Sequence, residues 1–225
     1  MTEGATLVGA APVLPIGAPS LQPAAASTTV TRAAARRTPA PVLTGNTVGD
    51  PPGSVGIRMH LALGQRRYDL RTRALVMGAL GLPDALVAGG ADILELDPAD
   101  ATLDQRALGL PVCTPAADEA AVGRALSGGA DLIHLRRPTR QSLDLCAAAG
   151  VSVLVPLDAA QDAAAAGFSS EHLVVDSLLL DVVGEECPVA ATAAGVIRGA
   201  RIVRTDDVRA ARRICDVLAA VMEAR

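Results

Sequence analysis

Two charged residues stand where apolar ones are expected. Asp176 sits inside the run LVVDSLLL (173–180), and Arg204 ends the run RIVR (201–204). A carboxylate in such a run is costly to bury unless it is paired or aimed into a polar pocket. A guanidinium there can grip an anion through two parallel hydrogen bonds. The residue types leave two readings open: a binding site, or structural ions paired with their neighbours. His134 ends another apolar run, LIHL, where it could act as base or donor. Asp206 lies two residues beyond Arg204. Glu95, Asp97, Asp158 and Asp207 qualify by position alone. Asp158 and Asp207 read as helix caps, and Glu95 could face inward or outward.

Several chemistries are unsupported. There is no P-loop, no GxGxxG and no His/Cys/carboxylate cluster at metal spacing. The four cysteines, Cys113, Cys146, Cys187 and Cys215, form no CxxC and read as reduced core residues. Cys113 with His134 as a nucleophile pair has only residue type in its favour. A net charge of −4 gives no electrostatic case for nucleic acid. No apolar run reaches the roughly 18 residues of a membrane span, and no basic segment precedes an apolar one at the start. A cytoplasmic location is the default expectation.

The elements that must position these residues read as repeated βα units. Gly89–Leu96 (GGADILEL) has echoes in Gly128–Leu135 (GGADLIHL) and Gly199–Arg204 (GARIVR). Each is a small-residue turn feeding an apolar run, and each follows a segment suited to a helix. Residues 1–53, rich in Ala and Pro, read as a disordered leader whose Arg32, Arg36 and Arg37 form a solvated patch. Val55–Leu63 and Arg67–Leu70 predict a hairpin around Gly64–Gln65. Strands follow at Ala74–Leu80, Ala91–Leu96, Leu110–Thr114, Asp131–Leu135, Val151–Leu157, Leu173–Leu180 and Arg201–Thr205, with a weak one at Val189–Ala191. Helices are expected at Pro83–Ala88, Ala117–Leu126, Thr139–Ala149, Asp158–Ala166 and Asp206–Ala224. The last carries an apolar side of Val208, Ala211, Ile214, Cys215, Val217, Leu218, Val221 and Met222. The fold class is α/β, a (β/α)8 TIM barrel over 54–225; its strands span only about 150 residues against a usual size of about 250, so it is shortened. An open doubly wound sheet is the alternative. With only Tyr68 and Phe168 as aromatics, the core must be built from Ala, Val, Leu and Ile, with helices lying close to the sheet.

The chain from Val55 onward resembles the dihydropteroate synthases, pterin-binding barrels of folate synthesis. RRYDL…ALVMGAL is similar to that family's opening hairpin and first strand. Gly89–Leu96 is similar to EGADIIDV, and Pro111–Leu135 to PISIDT…GADIIND. GFSSEHLVVD (167–176) is similar to the segment ending ILDPGIGF, and GARIVRTDDV (199–208) to the closing RVHDV signature. The resemblance implies condensation of a dihydropterin pyrophosphate with p-aminobenzoate, with Mg²⁺ if active. It implies that Asp176 would hydrogen-bond pterin ring nitrogens and Arg204 would contact pyrophosphate. It also implies a homodimer through the C-terminal helix.

The departures are many. The first-strand Asn falls on Gly81, the third-strand Asp on Pro115 or its neighbour and the fourth-strand Asn on His134. The closing His becomes Asp206, and the chain has no Lys for the pterin-stacking position. The expectation is a shortened member without synthase activity that retains weak binding of a pterin-like small molecule or acts as a regulatory or interaction subunit, with Asp176, Arg204, His134 and Asp206 as substrate-binding positions. The alternatives are an active synthase with a rebuilt site, or an unrelated phosphate-binding barrel enzyme using turns at Gly184 and Gly195.

Overall fold

The computed structural model describes residues 60–97 and 108–224. The expected leader with its arginines, and residues 55–59 of the expected hairpin, lie outside the described residues. So do residues 98–107 of the connection between the second and third barrel strands.

The chain opens with an antiparallel hairpin, β1 (His60–Leu63) and β2 (Arg66–Asp69). Eight parallel strands follow: β3 (Leu75–Gly78), β4 (Ile93–Glu95), β5 (Val112–Ala116), β6 (Leu132–Leu135), β7 (Ser152–Val155), β8 (Leu173–Val175), β9 (Leu179–Asp181) and β10 (Ile202–Thr205). The helices are α1 (Pro83–Gly89) after β3, α2 (Glu119–Gly128) after β5, α3 (Arg140–Ala149) after β6 and α4 (Ala160–Ala165) after β7. Then come α5 (Pro188–Ile197) after β9 and α6 (Val208–Glu223) after β10.

The strand order is β8-β7-β6-β5-β4-β3-β10-β9. Its two ends are consecutive in the chain, so the wall curls into a shortened (β/α)8 TIM barrel. The three-residue 3₁₀ turn Asp176–Leu178 joins those ends. This corrects the single strand expected at Leu173–Leu180. The turn also moves Asp176 out of the strand interior and leaves it exposed, so its carboxylate carries no burial cost. A second correction concerns Val189–Ala191, which lie in α5. Pro188 suits the first turn of a helix, and the Ala-rich run after it favours helix over strand. The strand expected there is β9, ten residues earlier.

Strand residues alternate between two apolar layers. Leu75, Met77, Ile93, Cys113, Leu132, Leu154, Val174 and Ile202 fill the barrel interior. Val76, Leu94, Ile133, Val153 and Val203 face the helices. The helices do lie close to the strands: a Cβ on Gly195 of α5 would meet Leu180 Cδ2 of β9 at 2.4 Å, and one on Gly78 of β3 would meet Val208 of α6 at 3.0 Å. This packing disqualifies Gly195 as a phosphate-binding turn. The hairpin plugs the end of the barrel where the strands begin. Leu61 and Leu63 are 1% exposed and join the interior cluster. Ser152 Oγ donates to the Ala62 carbonyl, and the Ala62 amide donates to the Glu171 carbonyl.

The three echoes superpose position by position. Gly90, Gly129 and Gly199 all take positive φ just after a helix (92°, 85° and 111°), where a Cβ would be strained. Asp92 and Asp131 then accept the amides of Val76 and Val112, each at the neighbouring strand, at 2.9 and 3.0 Å. The third echo places Arg201 at this position. It cannot accept, and its buried Nε has no partner.

Asp92 does more. Arg73 donates to it at 2.7 Å, and Nη1 of Arg212 on α6 donates to both of its oxygens at 3.0–3.1 Å. The final helix is thereby tied to the strand starts. Asp207 caps α6 by accepting from the Ala210 amide, as expected, and Thr139 with Ser142 forms a capping box on α3. The expected apolar side of α6 is only half buried. Val208, Ala211 and Cys215 are covered, whereas Val217, Val221 and Met222 are exposed. Among the described residues, no helix is long and apolar enough to cross a membrane.

Candidate functional site

Counted from the positive-φ glycine, the sixth residue of each echo lands at the same level of the barrel. Glu95 ends β4, His134 lies near the end of β6 and Arg204 near the end of β10. Each is two residues beyond an interior apolar side chain: Ile93, Leu132 and Ile202. Period-two alternation therefore turns all three into the barrel at the end where the strands finish. The glycine turn fixes where each strand starts, and the strand length does the rest.

Arg204 is the hub. Its Nε donates to Glu95 Oε2 at 2.7 Å and its Nη2 to Oε1 at 2.5 Å, a two-pronged bridge. Its Nη1 meets both carboxylate oxygens of Asp181 at 3.1 Å. The side chains of Arg204 and Glu95 are 15% and 11% exposed, and that of Asp181 is 56% exposed. The Glu95 hydrogen bond holds the guanidinium charged more firmly than usual, against the opposing effect of burial. Cys113 pairs in register with Glu95 on the adjacent strand. Burial pushes its thiol well up, and the Glu95 charge adds to that. Cys113 is sealed from solvent and pairs in register with Leu132 of β6, not with His134, which argues against the Cys113–His134 pair.

The four sequence candidates separate. Asp176, His134, Arg204 and Asp206 all sit at or just past the same ends of the strands. Arg204 is bound by two carboxylates. Asp176 accepts from the Leu157 amide at 3.2 Å, which steadies the turn after β7. Asp206 is exposed beside the start of α6. His134 is half-buried and senses Arg136, Glu95, Arg204 and Asp176. Sequence reasoning did not single out Asp181 at all, and it left Glu95 facing either way. For Glu95 the signal was present: superposing GGADILEL on GGADLIHL puts Glu95 on His134, so both must face the same way.

The mouth does not fit a resident Mg²⁺. Glu95 and Asp181 are spent on Arg204, and no group of three His, Cys, Asp or Glu among the described residues converges as a metal site requires. Two clefts among the described residues, of about 500 and 160 Å³, lie elsewhere. One is on the outer face of α2 beside Arg124, and the other is near Phe168 and His172.

Burial, helped by Arg136, lowers the His134 pKa below the ordinary 6.5, while Glu95 and Asp176 pull it up. Folding thus favours the neutral imidazole. Its stabilising contribution is present above pH 6.5 and is lost as pH falls through the folded value. An NMR titration is expected to place His134 below 6.5, and His134→Gln to flatten that part of the stability profile. A midpoint above 6.5 would contradict the burial argument.

No family model and no curated sequence matches this chain. Solved structures do. A Yersinia pestis dihydropteroate synthase with a pterin-sulfa conjugate matches at TM-score 0.63 and 18% identity, covering 74% of this chain and 100% of that one. The Vibrio fischeri 7,8-dihydropteroate synthase matches at 0.62 and 15%, over 74% and 99%. The Thermus thermophilus enzyme matches at 0.59 and 23%, over 72% and 99%. These identities establish architecture: the chain has a dihydropteroate synthase-like barrel fold.

Proposed function

We propose that this chain is a dihydropteroate synthase-like barrel that does not run the synthase reaction and keeps at most weak affinity for a pterin-like ring. The observation that carries this reading is the state of Arg204. The reaction expels pyrophosphate, and its transition state needs cations poised at the developing negative charge. Here the guanidinium is already neutralised by Glu95 and Asp181. Asp176 and Asp206 add further carboxylates to the same rim; the chain has no lysine, so only arginines such as the exposed Arg136 just past β6 can offset them.

The test is a condensation assay with dihydropterin pyrophosphate and p-aminobenzoate, followed by pyrophosphate release and paired with calorimetry of the pterin alone. The expected result is no turnover above background. Turnover at about 1 s⁻¹ or faster, an ordinary enzymatic rate, would overturn the reading.

A further inference from the structure

We propose that Glu95 is a tethered anion: it fills the edge of Arg204 that would otherwise grip a phosphate, and so closes this mouth to phosphate-bearing ligands. The inference deepens the function proposed above, since it names the residue that sets what the mouth admits.

The geometry is specific. A phosphate held bidentately by arginine takes two parallel N–H groups on one edge of the guanidinium. Glu95 takes such an edge, with Nε and Nη2 at 2.7 and 2.5 Å from its two oxygens. The bridge is not local. It joins strands that are not neighbours, because β3 lies between β4 and β10. β3 permits the crossing: just past its end it contributes Ala79, buried and small, level with the end of β10 through the Ala79 amide to Thr205 carbonyl bond. Both members are well shielded, so water competes poorly for them.

Asp181 reaches Arg204 from the other side but is more than half exposed, and a solvated carboxylate is a weak competitor for a guanidinium. Glu95 is therefore the residue whose removal changes the mouth. Without it, the Nε and Nη2 edge of Arg204 loses its partner, and Arg136 lies exposed just past β6. The ligand class admitted would be inorganic phosphate, pyrophosphate or a phosphate ester.

The experiment titrates inorganic pyrophosphate, and separately phosphate, into the full chain by calorimetry at low salt. Wild type is expected to give no saturable heat at millimolar ligand. Glu95→Ala and Glu95→Gln are each expected to bind pyrophosphate on the order of tenfold tighter than wild type, or more, and to lose that gain as salt is raised. Adding Arg204→Gln to either variant is expected to abolish the gain. Circular dichroism checks folding, and Glu95→Gln, which keeps the shape and one acceptor, serves if Glu95→Ala does not fold. Three results would each overturn the proposal. They are wild-type binding as tight as the variants, no gain in a folded Glu95 variant, or a gain that survives loss of Arg204. None depends on the condensation assay: turnover by wild type would remove the non-synthase reading, whereas these heats judge Glu95 directly.

Discussion

Asp92→Ala is expected to destabilise the protein by about 3–5 kcal/mol, the range for breaking one side of a buried ionic cluster. Asp92 is 8% exposed. Its carboxylate accepts from the buried Val76 amide, from Arg73 and twice from Arg212. Alanine leaves the amide unsatisfied and two guanidinium groups short of their counter-ion. Burial holds the Asp92 carboxyl above the usual range, with the Val76 amide and Arg73 pulling against it. The ionised form is thus stabilised by its partners only in part, so Asp92→Asn, which keeps one acceptor oxygen, should cost less than the alanine variant. The midpoint of urea unfolding reports both. A loss below about 1 kcal/mol for Asp92→Ala would place the cluster among ordinary surface ion pairs.

Leu63→Ala is expected to cost about 2–5 kcal/mol, as for other fully buried leucines. Leu63 sits on the hairpin, outside the barrel wall in sequence, yet it packs with Leu132, Leu154 and Ile202 inside it. Removing it leaves a void at the bottom of the cylinder that rigid strands cannot collapse to fill. The unfolding slope is expected to stay unchanged, because the hairpin keeps its ties through Ser152 and Glu171. A near-neutral result would mean that the hairpin lies on the barrel without sealing it.

Much of the barrel was legible because glycine and aspartate leave strong local marks. The GGAD segments announce a helix end and a strand start in four residues, and Gly90 and Gly129 behave accordingly. Thr139 and Gly150 bracket α3 where the sequence places them. The turn at Asp176–Leu178 was not legible. Val175, Ser177 and Leu178 carry no breaker, and a 3₁₀ turn needs none. The seventh strand was misplaced for the same reason, since β9 was read as the tail of β8. At the site, Arg204 and His134 could be found as polar ends of apolar runs. Their partner Glu95 could not be found that way, because a bridge between β4 and β10 spans 109 residues of sequence. Only the shared parity of the echoes points to it.

The junction of β8 and β9 has one more consequence. Every other neighbouring pair in the wall is stitched by a ladder, but these two meet through a covalent turn and form the ends of the sheet order. The cylinder therefore has a single seam along which it can gape without rupturing strand pairing.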